Sequence, residues 1–196
     1  MKQMLAATSL ALFLAACSPE PSGAPEMASG EGNSSTPSAA APATPSPSPA
    51  LPAADVLTLE GIGALRIGQP VPAYSRWAER GAQISDSCRT VSAPDFPGVY
   101  AIVEDGRVRR ITVGERSDVK LVEGIGVGAT EAQVRAAFPG FREDRHEYVD
   151  PPAKYLTAPN AAGGDPALRF EIGAEGKVSL IHVGTMPVLG YVEGCA

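Results

Sequence analysis

"GRVRRITVG" at 106–114 returns seventy residues later as "GKVSLIHVG" at 176–184. Five of the nine positions agree: Gly106/Gly176, Val108/Val178, Ile111/Ile181, Val113/Val183 and Gly114/Gly184. Much of each stretch alternates apolar and polar residues, the period of a strand with one buried face. A chain that writes one strand twice predicts a duplicated unit, with the same strand docked under the same cover each time.

The likeness continues upstream. "EGIGALRIGQPVPAYSRWAERG" (60–81) and "EGIGVGATEAQVRAAFPG" (123–140) share EGIG and an aliphatic-Gly step, Ile67-Gly68 and Val127-Gly128. A helical pattern comes after each step. In the second, Thr130 and Gln133 stand at capping-box spacing, Val134, Ala137 and Phe138 form an apolar stripe, and Pro139-Gly140 ends it. In the first, Pro72 suits the opening turn, Tyr74, Trp77 and Ala78 make the stripe, and Gly81 suits a C-terminal cap. Strands should come next: one near 87–92 and a hairpin turning at Asp105-Gly106, then one near 154–157 and a hairpin turning within 173–176. The expected fold is α+β: two helix-plus-antiparallel-meander repeats, about 57–116 and 120–185, forming one sheet with helices on one face. A tail at 186–196 completes the 55–196 domain as a last strand or an extended lid.

Period two and the seventy-residue offset assign faces. Tyr100 with Phe170, Ile102 with Ile172, Ile111 with Ile181 and Val113 with Val183 should face the helices. The open face would carry Val99, Ala101, Val103, Val108, Arg110 and Thr112, then Arg169, Glu171, Val178, Leu180 and His182. Apolar groups flanked by charge mark interaction sites, so Arg110, Arg169, Glu171, Leu180 and His182 are the candidate partner-binding residues. Alternatively, "PVLGYVEGCA" or the 148–166 loop covers the apolar part.

The N-terminus reads differently. Lys2, the apolar run 4–16 and Cys17 compose a secretory signal at 1–16, too short to span as a transmembrane helix. "LAAC" at 14–17 resembles the bacterial lipobox, which implies a lipidated Cys17 and a membrane anchor; Ser18 is compatible with outer-membrane sorting, facing the periplasm. Residues 18–54 hold nine prolines and no aromatic residue, so they lack the apolar surface to offset ordering and form a tether. All but one of the 16 Lys and Arg, and all but three of the 22 Asp and Glu, lie from Asp55 onward. That mildly acidic domain lacks the basic stripe of a nucleic-acid binder. With Cys17 assigned, Cys88 and Cys195 read as one disulfide of an exported domain.

A Gly-rich turn, the "GATEAQVRAAF" helix at 128–138 and an antiparallel meander on a lipidated chain resemble the BamE (SmpA/OmlA) lipoprotein module. Doubled, the arrangement resembles the tandem-repeat fold of the β-lactamase inhibitory proteins. The resemblance covers roughly 57–185 and implies a role in binding or assembly.

Chemistry leaves few marks. His146 lies in the charged run "REDRHEY" (142–148), which reads as solvated, and His182 lies mid-strand. Neither has an H-E-x-x-H, H-x-H or CxxC companion, no G-x-S-x-G elbow precedes a helix, and no glycine-rich phosphate loop is complete. The sequence therefore reads as non-catalytic, with no metal and no cofactor: a lipid-anchored envelope protein that binds a protein or cell-wall partner, as an inhibitor or assembly factor. The alternative is a small envelope hydrolase acting on glycan or peptidoglycan through carboxylates.

Overall fold

The computed structural model describes residues 55–83 and 85–195; the expected leader, Cys17 and the 17–54 tether lie outside the described residues. Among the described residues eight strands form one antiparallel sheet. They are β1 (Ala78–Glu79), β2 (Cys88–Ser92), β3 (Val99–Glu104), β4 (Arg107–Val113), β5 (Arg142–Arg145), β6 (Lys154–Thr157), β7 (Ala167–Ile172) and β8 (Val178–Gly184). Their spatial order is β1-β2-β3-β4-β8-β7-β6-β5, so two four-stranded meanders meet where β4 pairs with β8. The two similar stretches are therefore neighbours. Val113 lies opposite Ile181, Thr112 opposite His182 and Ile111 opposite Val183. That register is two-fold about the Thr112–His182 pair.

Ile111, Val113, Ile181 and Val183 are fully buried and share one core with α1 (Glu131–Ala137). The α1 N-terminus is closed by the Thr130–Gln133 capping box, and Val134 points into the core. Phe138, Phe141 and Phe170 pack together with ring centroids 5.3–5.8 Å apart. Each aliphatic-Gly step bonds the start of its matched strand: Gly68 N–H donates to Val108 O, and Gly128 N–H to Val178 O.

The expected α+β fold of two helix-plus-meander repeats does not form: the helix of the first unit is absent, and the fold is mostly β with one α-helix among the described residues. Residues 70–81 hold two prolines, and each restrains the residue before it to extended backbone. A helix of the remaining length is marginal on its own. Tyr74 instead adopts φ 65°, Trp77 turns inward to stack on Phe96 at 5.6 Å, and Ala78–Glu79 join the sheet. Two aromatic side chains cover the first meander where a helix was expected.

The expected face assignment is wrong for β3, and for Val108 and Val178, each of which precedes a bulge in its strand and turns to the core. Val99, Ala101 and Val103 lie in the core with Val108 and Val178, while Tyr100 and Ile102 point to the other face. For β3 the cause is loop length. Glu104 pairs with Arg107 across a two-residue turn in which Asp105 and Gly106 both have positive φ, whereas Gly173 N–H bonds Lys177 O across three residues. The offset is therefore seventy residues after the hairpin turn and sixty-nine before it. A one-residue slip exchanges the faces of a strand.

Both sheet edges are closed to further strands. β5 is a row of exposed charges, with Glu143 bonded to Arg135 at 2.5 Å and to Lys154 at 3.2 Å. At the other edge β1 is two residues long. Beyond it the Gln83 amide occupies both backbone groups of Thr90, and Ser85 Oγ accepts from Cys88 N–H.

Candidate functional site

The face of the sheet turned away from α1 carries three cross-strand rows. The first contains Thr90, Ile102, Arg110 and Gly184. The second contains Tyr100, Thr112, His182, Arg169 and Thr157. The third contains Leu180, Glu171, Tyr155 and Asp144, with Gly114 beside Leu180 and Gly98 beside Gly114.

The chain itself covers the first row. After Gly184 it crosses this face through a 3-10 turn at Val188–Gly190 and reaches Cys195, joined to Cys88 by a disulfide. Arg110, 1% exposed, donates to Val188 O at 3.1 Å and Tyr191 O at 2.5 Å, and Arg169 donates to Gly190 O at 3.1 Å. Val188 packs with Cys88 and Ile102. The tail is a strap, not a strand. Burial pulls the Arg110 guanidinium below its ordinary value, and Tyr100 opposes that shift.

The chain's only two histidines converge on Glu171 in the middle of the face. His146 Nδ1 accepts the backbone N–H groups of Tyr148 and Val149, each at 3.1 Å, which places the ring proton on Nε2. That Nε2–H donates to Glu171 Oε1 at 3.0 Å, and the ring stacks on Tyr155 at 4.8 Å. His146 is thus buried, which overturns its reading as part of a solvated run. Charged neighbours at 142–145 hid it, and no local pattern separates it from them. His182 Nδ1 lies 2.9 Å from Thr112 Oγ1, while its Nε2 stands 4.0 Å from Glu171, too far for a hydrogen bond. Burial pushes His182 down to about 4, and the Glu171 carboxylate only partly offsets it. Burial also works to raise the Glu171 carboxyl, but His182 and His146 outweigh it and hold the carboxyl below its ordinary range. At neutral pH Glu171 is ionised and His182 is neutral. Arg169 completes the cluster, its guanidinium carbon 4.0 Å above the Tyr155 ring.

The third row opens into a cleft of about 900 Å³. Leu180, Glu171, Ser179 and Tyr100 line the sheet side, and the 94–98 loop with Phe96 and the 115–116 turn line the rest. Its depth comes from adjacent glycines. A Cβ on Gly114 would sit 3.3 Å from the Leu180 side chain, and one on Gly98, at φ 74°, would sit 2.8 Å from the Arg116 backbone. Four charged residues line it, Arg80, Glu115, Arg116 and Glu171, and among the described residues none forms an ion pair with another.

Arg110, Arg169, Glu171, Leu180 and His182 all lie on this face, but they do not form one surface. Arg110 and His182 are buried, Arg169 is bonded to the strap, and only Glu171 and Leu180 of the five line the cleft. Tyr100 and Phe96 were not among the expected site residues; the face of β3 was misassigned, and Phe96 lies in a connecting loop. Among the described residues no three His, Cys, Asp or Glu side chains are placed to hold a metal ion, and no helix is long and apolar enough to cross a membrane. In comparisons with known proteins, the chain matches no family model, no curated protein and no solved structure.

Proposed function

We propose that this protein is a non-catalytic binding module of the cell envelope, anchored through a lipid on Cys17, which holds a protein partner in the cleft beside Leu180 and Glu171. One observation carries the reading. The outer face is covered by the chain's own strap at one end, while the other end is an open cleft with an apolar floor and unpaired charges. Such a mixture is the composition of recognition surfaces. With both edges blocked, a partner must meet the face. Of the two carboxylates lining the cleft, Glu171 has the wrong bias for the general acid of a glycan hydrolase, which needs a raised carboxyl, because it is lowered. The Pro-rich tether would let an anchored domain search for its partner.

A photo-crosslinking residue at Leu180 of the full chain, expressed in its own envelope, tests this. Adducts should form from position 180 and not from Val122, which is 70% exposed and outside the cleft. Equal adducts from both positions, or none from 180, would refute the reading. Fatty-acid labelling should disappear in Cys17→Ser; labelling that persists would remove the anchor.

A further inference from the structure

We propose that the cleft takes a peptide segment of the partner, with a lysine or arginine side chain on Glu171 and an apolar neighbour on Leu180. The inference rests on the binding role above and names what is bound.

The first support is the strap. The β4–β8 register is two-fold about Thr112 and His182, so Arg110 and Leu180 occupy matching positions on the two sides of that pair. One side already holds a segment of chain, residues 185–195, which turns through Val188–Gly190; its carbonyls bond to Arg110 and Arg169 and its Val188 sits by Ile102. On the other side, the chain after Gly114 turns away: Ser117 N–H bonds back to Gly114 O, and Val119 and Leu121 enter the core shared with α1. The matching place for a segment is left to another chain.

The second support is chemical. Where the strap end offers a cation to carbonyl groups, the cleft offers a carboxylate. Glu171 is 22% exposed at the side chain, oriented by His146, and has no Lys or Arg within ion-pair distance among the described residues. A lysine or arginine matches it twice. The charged head meets the carboxylate, and the methylene stem lies along Leu180 and the Tyr100 ring. A small free cation would leave Phe96 and the proline-lined wall uncovered, whereas a peptide segment fills a cleft of this size.

The test uses the isotope-labelled full chain and three blocked tripeptides, acetyl-Leu-X-Leu-amide with X as lysine, norleucine or glutamate, followed by amide shifts. The lysine peptide should move Gly114, Ser179 and Leu180 and bind at least tenfold tighter than the other two. Glu171→Gln should abolish that preference, and Glu171→Asp should keep most of it, which separates lost charge from lost fold. Equal binding of lysine and norleucine peptides would leave a binding cleft but overturn the charge recognition. Acetyl-lysine-amide binding as tightly as the tripeptide would overturn the peptide segment in favour of a small cation. If no peptide moves the cleft resonances while a partner still crosslinks at position 180, the peptide inference falls and the binding role stands. If neither occurs, both fall.

Discussion

The two ends of the outer sheet face differ in the path the chain takes after a glycine. Beyond Gly184 the chain folds back over the face, so Arg110 is buried with its Nη1 held by two carbonyls. Beyond Gly114 it turns toward the opposite layer, so the matching Leu180 borders open space. The same pairing of the same two strands thus yields a closed end and an open one. Backbone symmetry of a sheet does not extend to its function; the connections decide which surface is left to bind.

Removing the covalent strap is the harshest way to break the comparison. Replacing Cys88 and Cys195 together by Ala frees a closure 107 residues long, which the chain-entropy model values at about 4–5 kcal/mol. Urea unfolding should show most of that loss, and crosslinking from Leu180 should survive in the folded fraction. A variant that loses no stability would mean the strap is held by its other contacts.

The pair at the centre responds to pH. Unfolded, His182 takes up its proton near its ordinary value of 6.5; folded, only near 4. Between those values the unfolded chain binds the extra proton, so stability should fall by about 3 kcal/mol as pH drops from 6.5 to 4. The lowered Glu171 carboxyl adds a further loss only below its ordinary value of 4.5. Melting temperatures across this range in the native protein and in His182→Asn should diverge at neutral pH and converge toward pH 4. A flat native profile between 6.5 and 4.5 would show that His182 is not desolvated.

The matched positions sharpen the contrast. Arg110→Met keeps the stem but removes both carbonyl bonds, and should cost roughly 2–3 kcal/mol. Leu180→Ala, half-buried at the cleft, should cost about 1 kcal/mol or less and weaken only binding. Equal losses in chemical denaturation would mean that the cleft is covered too.

Much of the sheet is legible in the residues. Ile111, Val113, Ile181 and Val183 announce their buried face by alternation, Asp105-Gly106 its turn, and Thr130 with Gln133 the start of α1. The pairing of Cys88 with Cys195 comes from counting: with Cys17 assigned to the lipobox resemblance, two cysteines remain. These are signals between residues one to four apart, or matters of counting, and they need no knowledge of the fold. The site is another matter. An extra residue in the 174–176 loop exchanged the faces of Tyr100 and Ile102 with those of Val99 and Val103. The segment 70–81 carried a helical stripe, yet its prolines and a place beside β2 made it turns and an edge strand. His146 met Glu171 and Tyr155 only because β7 lies beside β6. Alternation and caps are local, so the sequence by itself determined six of the eight strands, the Asp105-Gly106 turn, α1 and the bridge, but not the edge strands at 78–79 and 142–145. Which of two equivalent ends stayed open depended on where each chain went after its glycine, and only the packed structure decides that.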